Sequence, residues 1–104
     1  MKIKELITLV KTIYKDLFNE EPIEVKQIDE FIYHLKYKNE TIEINKAVGN
    51  KYRLIFESLT GTVERFREIF DQGVGFVMYS CDASYFIDLT EKHINDVIAH
   101  YYSK

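Results

Sequence analysis

The sequence predicts a single α+β domain over residues 1–104, with helices packed on one face of an antiparallel β-meander. Three observations carry that expectation. Residues 22–58 alternate in polarity with a period of two, as half-buried strands do. The segments on either side place apolar residues at three- and four-residue spacings, as amphipathic helices do. With 104 residues, 46% of them apolar, the chain can bury a core, and intrinsic disorder is excluded.

The first helix is expected over residues 2–19. Ile3, Leu6, Ile7, Val10, Ile13, Tyr14, Leu17 and Phe18 share one side, while Lys4, Lys11, Lys15 and Asp16 share the other. Its polar face is too weakly basic for a membrane-surface helix. Charges recur through its apolar pattern, so it does not read as a signal peptide. Asn19, Glu20, Glu21 and Pro22 end it, because proline disfavours helix in the residue before it.

The meander follows as four strands with one oily face. Ile23 and Val25 alternate with Glu24 and Lys26. Phe31, Tyr33, Leu35 and Tyr37 alternate with Ile32, His34, Lys36 and Lys38. Ile42 and Ile44 oppose Thr41, Glu43 and Asn45 across the strand, and Tyr52, Leu54 and Phe56 oppose Arg53, Ile55 and Glu57. A one-residue slip would turn a strand's apolar set to the wrong face, so turn lengths are constrained. A two-residue turn at Asn39 and Glu40 sets Tyr37 against Ile42, Leu35 against Ile44 and Lys36 against Glu43. A three-residue loop of Val48, Gly49 and Asn50 sets Ile44 against Leu54 and Ile42 against Phe56, with Asn50 left-handed.

Thr60, Gly61 and Thr62 offer a helix start, and Val63, Phe66, Ile69 and Phe70 form the buried side of a short middle helix. Gly73 fits its left-handed end, with Val74 as the accompanying apolar contact. Two further strands are expected at residues 76–79 and 85–89, making six, with a turn at 80–84. A helix through residues 82–88 is the alternative. Thr90 caps a C-terminal helix that has Glu91 in its first turn and Ile94, Val97, Ile98 and Tyr101 as its buried stripe.

The formal net charge is −3. Residues 1–53 hold ten Lys/Arg and nine Asp/Glu, and residues 54–104 hold four and eight, so no basic footprint for nucleic acid exists. Cys81 is the only cysteine, which rules out an internal disulfide and suits a reducing, cytoplasmic setting. No apolar run reaches membrane-spanning length.

Candidate chemistry is thin. His93, Asp96 and His100 lie at i, i+3 and i+7, a spacing a metal could use. They fall on the polar flank of the last helix, however, and zinc would need further ligands. Cys81 beside Asp82 lacks the electropositive setting of a reactive thiol. His34 sits on the polar face of its strand and reads as solvated. Gly73, Val74 and Gly75 follow a helix and precede a strand, the reverse of a phosphate-cradling loop. No catalytic residue, cofactor or metal site is therefore assigned.

One enrichment points elsewhere. Tyr79, Asp82, Tyr85, Asp88, Glu91, Asp96, Tyr101 and Tyr102 mix acidic and tyrosine side chains near the C-terminus. Tyrosine favours protein interfaces because it joins a large apolar area to a polar tip. The competing reading has the tyrosines ringing the core. Tyr85, Asp88, Asp96 and Tyr102 are the candidate partner-binding residues. No motif resembles a known family, but the overall character is of the type found in bacterial immunity proteins and phage-encoded inhibitors. The expectation is a cytoplasmic protein-binding module that inhibits by stoichiometric binding. Its partner would be another protein, with a basic nucleic-acid-handling enzyme as one version. Two alternatives stand beside it. One is a small enzyme or ligand-binding domain in which His93, His100 or Cys81 meets a carboxylate between sheet and helices. The other is a structural subunit or homodimer using an exposed sheet edge.

Overall fold

A computed structural model describes residues 2–47, 49–57, 61–71, 77–81 and 84–103, with the backbone alone for Lys2 and residues 77–81. In chain order the elements are α1 (Lys2–Phe18), β1 (Glu24–Asp29), β2 (Ile32–Lys36), β3 (Thr41–Lys46), β4 (Lys51–Glu57), α2 (Thr62–Phe70), β5 (Val77–Cys81), β6 (Ser84–Thr90) and α3 (Glu91–Tyr102). The strands form one sheet in the order β1-β2-β3-β4-β6-β5, and every neighbouring pair is antiparallel. The first four run in the expected meander order, but β1 is exposed along its whole length, so Ile23 and Val25 do not join the buried face as expected. The chain then passes through α2 to the far edge, and β6 returns to lie between β4 and β5. The expected α+β class is the observed one.

One face of the sheet is covered. Leu35, Ile42, Ile44, Leu54, Phe56, Ile87 and Leu89 point into a core closed by Leu6, Val10 and Ile13 of α1, Phe66 and Phe70 of α2, and Ile94 and Val97 of α3. Leu9 is also fully buried, so the apolar stripe of α1 is wider than its spacing suggested. The opposite, outer face carries Ile32, His34 and Lys36 of β2, Glu43 and Asn45 of β3, Arg53 and Ile55 of β4, and Phe86 and Asp88 of β6. Antiparallel sheets commonly face water on one side in this way.

Element ends follow local chemistry in most places. Asn19 adopts φ 55, and its N–H donates to the Lys15 carbonyl at 2.8 Å, which ends α1 ahead of Pro22. Thr90 caps α3, its hydroxyl oxygen accepting from the His93 N–H at 3.1 Å. Before α2, Gly61 occupies the cap position at φ 73 without a side-chain cap bond, and Thr60 lies outside the described residues. The expected helix end at Gly73 and Val74 also lies outside them; α2 runs to Phe70, and Asp71 N–H donates to the Arg67 carbonyl.

Several expectations need correction. The β2–β3 turn falls one residue earlier, at Lys38 and Asn39, because Tyr37 and Glu40 face each other and Tyr37 N–H donates to the Glu40 carbonyl at 2.8 Å. The register therefore sets Leu35 against Ile42 and Tyr33 against Ile44. This two-residue shift keeps the side chains of β2 and β3 on their expected faces; Phe31, expected on the oily face, precedes β2 and is exposed. It pairs His34, not Lys36, with Glu43, and Lys36 reaches Glu24 instead, at 3.8 Å. The cause is tertiary: Tyr37 stacks on Tyr14 at 3.7 Å between ring centres, and Glu40 is buried. At the β3–β4 loop the Ile44–Leu54 pair holds and Ala47 N–H donates to the Lys51 carbonyl at 2.8 Å; Val48 lies outside the described residues, and Gly49, not Asn50, takes the left-handed conformation at φ 77. Glycine adopts it without a Cβ penalty. Finally, Ser80, Cys81 and Ser84, expected in a turn, belong to β5 and β6, and residues 84–88 are strand, which removes the helical alternative there.

Candidate interaction surface

The outer sheet face is built from cross-strand pairs. The Arg53 guanidinium donates to both carboxylate oxygens of Asp88, Nε to Oδ1 at 2.7 Å and Nη2 to Oδ2 at 3.0 Å. Such a two-point contact fixes orientation as well as adding energy. The same guanidinium lies 4.8 Å from the centre of the Phe86 ring, a cation–π distance. Strand register produces this group, since Arg53 faces Asp88 directly and Phe86 is two positions earlier on the same face. Further along, His34 Nε2 sits 2.9 Å from Glu43 Oε1. His34 is thus engaged with a carboxylate, and not simply solvated as its strand position suggested.

Three hollows share Ala47 at the end of the sheet, where residues of both faces meet: Arg53 and Asp88 from the outer face, Tyr52 and Leu89 from the inner. The first, about 400 Å³, is lined by Ala47, Lys51, Arg53 and Asp88 among others. The second, about 350 Å³, runs from Ala47 and Arg53 to Phe31, Ile32 and Asp29. A smaller one lies between Phe31, Lys46, Ala47 and Gly49. Phe31 is 47% exposed. Hydrogen bonds hold the backbone at Phe31 and at Asn50. Phe31 N–H donates to Asp29 Oδ1 at 2.8 Å, and the Phe31 carbonyl accepts from Lys46 N–H at 2.9 Å. The Asn50 carbonyl accepts from Glu91 N–H at 2.9 Å, which ties the β3–β4 loop to the start of α3.

The structure does not gather the four candidate partner-binding residues. Asp88 lies on the outer face, against Arg53. Tyr85 is on the inner side of β6, partly buried against the core. Asp96 and Tyr102 belong to α3, in the helical layer on the other side of the sheet. Asp96 pairs with Lys92 at 2.9 Å. Tyr102 donates to Thr12 Oγ1 at 3.2 Å and packs edge-on against Tyr101. Tyr101 donates to Asp16, and burial followed by that bond raises its pKa above the usual tyrosine value.

His93 is not on a polar flank. It is 2% exposed, and its Nε2–H donates to the Phe70 carbonyl at 2.6 Å, linking α3 to the end of α2. A histidine one turn into a helix capped at Thr90 faces the core beside Ile94. Asp96 and His100 point outward. Among the described residues, no group of three or more His, Cys, Asp or Glu side chains is arranged to hold a metal ion. Among them also, no helix is long and apolar enough to cross a membrane.

A buried polar cluster escaped the sequence reading. Glu40 is 7% exposed, and its Oε2 accepts from the Tyr14 hydroxyl at 2.8 Å and the Thr62 hydroxyl at 2.5 Å. It joins α1, the β2–β3 turn and α2. Burial first, then the Glu40 bond and charge, raise the Tyr14 pKa, and burial with nearby glutamates raises that of Tyr37. A glutamate beside Asn39 in a turn carries no sequence signal for burial, because glutamate is normally exposed.

Against known proteins, the chain matches no family model, no curated protein and no solved structure.

Proposed function

We propose that this domain acts by stoichiometric binding of another protein, through the hollows around Ala47. The observation that carries this is the convergence of an exposed aromatic ring, Phe31, and the oriented Arg53–Asp88 pair on adjoining hollows that share Ala47 and Arg53. Aromatic and arginine side chains in fixed pockets are the common anchors of protein interfaces. A surface already held in place loses little entropy on binding, which suits an inhibitor that covers a partner's working surface. Of the four candidates read from the sequence, Asp88 belongs to this surface. Lys46, Lys51 and Arg53 flank it together with Asp29 and Asp88, so the matching partner segment is apolar with charges of both signs around it. An inhibitory, immunity or anti-defence role in a bacterial or phage cytoplasm is the biological form we infer.

The test is affinity capture from the source cells with the full chain as bait, followed by stoichiometry and affinity for the recovered protein. Ala47→Arg fills the hollows from an exposed loop position and should leave the fold unchanged. It should weaken binding by roughly 2 kcal/mol or more if the site is a hot spot. Equal capture by the wild type and Ala47→Arg, or a partner whose affinity ignores Phe31→Asp, would refute this site.

A further inference from the structure

We propose that the open edge of β1 pairs with the same edge of a second copy of this chain, in a register centred on Val25. The hydrogen-bond pattern shows which backbone groups are available. Along an antiparallel strand, residues alternate between bonding one neighbour and directing N–H and C=O to the other side. Lys46 N–H donates to the Phe31 carbonyl and Tyr37 N–H to the Glu40 carbonyl. In the β2–β3 register, this assigns Tyr33 and Leu35 to β3, and Ile32, His34 and Lys36 to β1. Opposite Lys36 and His34 stand Glu24 and Lys26, which therefore spend their backbone groups on β2. Val25 and Gln27 direct theirs to the open edge.

The usable stretch is short. Ile23, whose N–H donates to the Lys36 carbonyl of β2 at 2.6 Å, bounds it on one side. The irregularity between Gln27 and Asp29 bounds it on the other. Two identical edges meeting about a two-fold axis can bring outward-directed groups together in registers centred on Glu24, Val25 or Lys26. Centring on Glu24 sets carboxylate against carboxylate, and centring on Lys26 sets ammonium against ammonium; like charges directly opposite are destabilising. Centring on Val25 sets Glu24 against the partner's Lys26, and by symmetry Lys26 against the partner's Glu24. Charges on the outer face then alternate in sign across the junction, because Lys36 already lies 3.8 Å from Glu24 on the near side. On the inner face, Val25 (45% exposed) meets the partner's Val25. Backbone parity, charge and apolar exposure thus agree on one register.

Sedimentation equilibrium of the full chain over a concentration series tests this, and a reversible dimer is expected. Val25→Pro removes an N–H that bonds nothing in β2, so it should give a monomer with unchanged far-UV circular dichroism. Glu24→Lys and Lys26→Glu, each alone, place like charges opposite one another twice per dimer and should weaken association by about tenfold or more. An equimolar mixture of those two variants should form a mixed dimer, since every charge then meets its opposite. Ala47→Arg should dimerise like the wild type, so failure of the partner site and failure of this edge are separable. A wild-type monomer up to the solubility limit overturns the proposal, as does a dimer that survives Val25→Pro. A mixture no tighter than its components overturns the register even if Val25→Pro fails to fold.

Discussion

Glu40→Ala should be among the most damaging single changes at a position that the sequence marks as a surface turn. In the structure its carboxylate accepts from two hydroxyls, at 2.8 Å from Tyr14 and 2.5 Å from Thr62, and those residues are 4% and 3% exposed. A hydrogen bond to a charged group contributes about 1.5–3 kcal/mol net, and a buried hydroxyl left without a partner costs about 1–3 kcal/mol. Removing the carboxylate also removes its own burial penalty, which offsets part of the loss. The balance is a destabilisation of about 2–4 kcal/mol, or a fall in Tm of roughly 10–25 °C for a domain of this size. Urea unfolding followed by circular dichroism gives the free energy. A cycle with Tyr14→Phe isolates the pair and should show a coupling of about 1–2 kcal/mol. A loss under about 0.5 kcal/mol for Glu40→Ala, or a coupling under about 0.3 kcal/mol, would show that the cluster does not hold α1, the turn and α2 together.

The neighbouring tyrosines predict a pH dependence. Burial holds the Tyr14 and Tyr37 hydroxyls protonated above the ordinary value of 10.0. Above pH 10 the unfolded chain ionises these groups while the native state does not, so it binds fewer protons and stability falls as pH rises. Below pH 10 their contribution is fully present. Each adds a slope of up to about 1.4 kcal/mol per pH unit, and Tyr37→Phe should flatten the decline in urea midpoint between about pH 10 and 11. At pH 7 the two behave differently. The Tyr37 hydroxyl is buried without a partner among the described residues, so Tyr37→Phe should be neutral or stabilising, whereas Tyr14→Phe should cost about 1–2 kcal/mol. In the sheet core, Leu54→Ala at a fully buried position should cost about 2–5 kcal/mol by denaturant unfolding. Asp96→Lys, which breaks only an exposed pair with Lys92, should stay within about half a kcal/mol. Similar losses for the two would mean that α3 is oriented differently.

The first helix, the meander, the Thr90 cap and the class of the fold were legible in the sequence because each is a local pattern. Period two and period 3.6 are properties of consecutive residues, and a capping threonine acts three residues away. The same alternation fixed which side chains of β2, β3 and β4 face the core, even where the register was off by two, because a two-residue shift preserves the face. Long-range contacts decided the rest. The turn sits at Lys38 and Asn39 because Tyr37 stacks on Tyr14 and Glu40 bonds Thr62, partners 23 and 22 residues away respectively, which no local propensity encodes. His93 looked like a flank residue until α2 placed the Phe70 carbonyl beside it. The acidic and tyrosine candidates were close in sequence, yet the sheet separates Asp88 on the outer face from Asp96 and Tyr102 in the helical layer. Conversely, Phe31, Ala47, Arg53 and Asp88 are scattered along the chain and become neighbours only through strand pairing. Composition along a chain records which groups are present; the pairing of distant strands determines which of them share a surface.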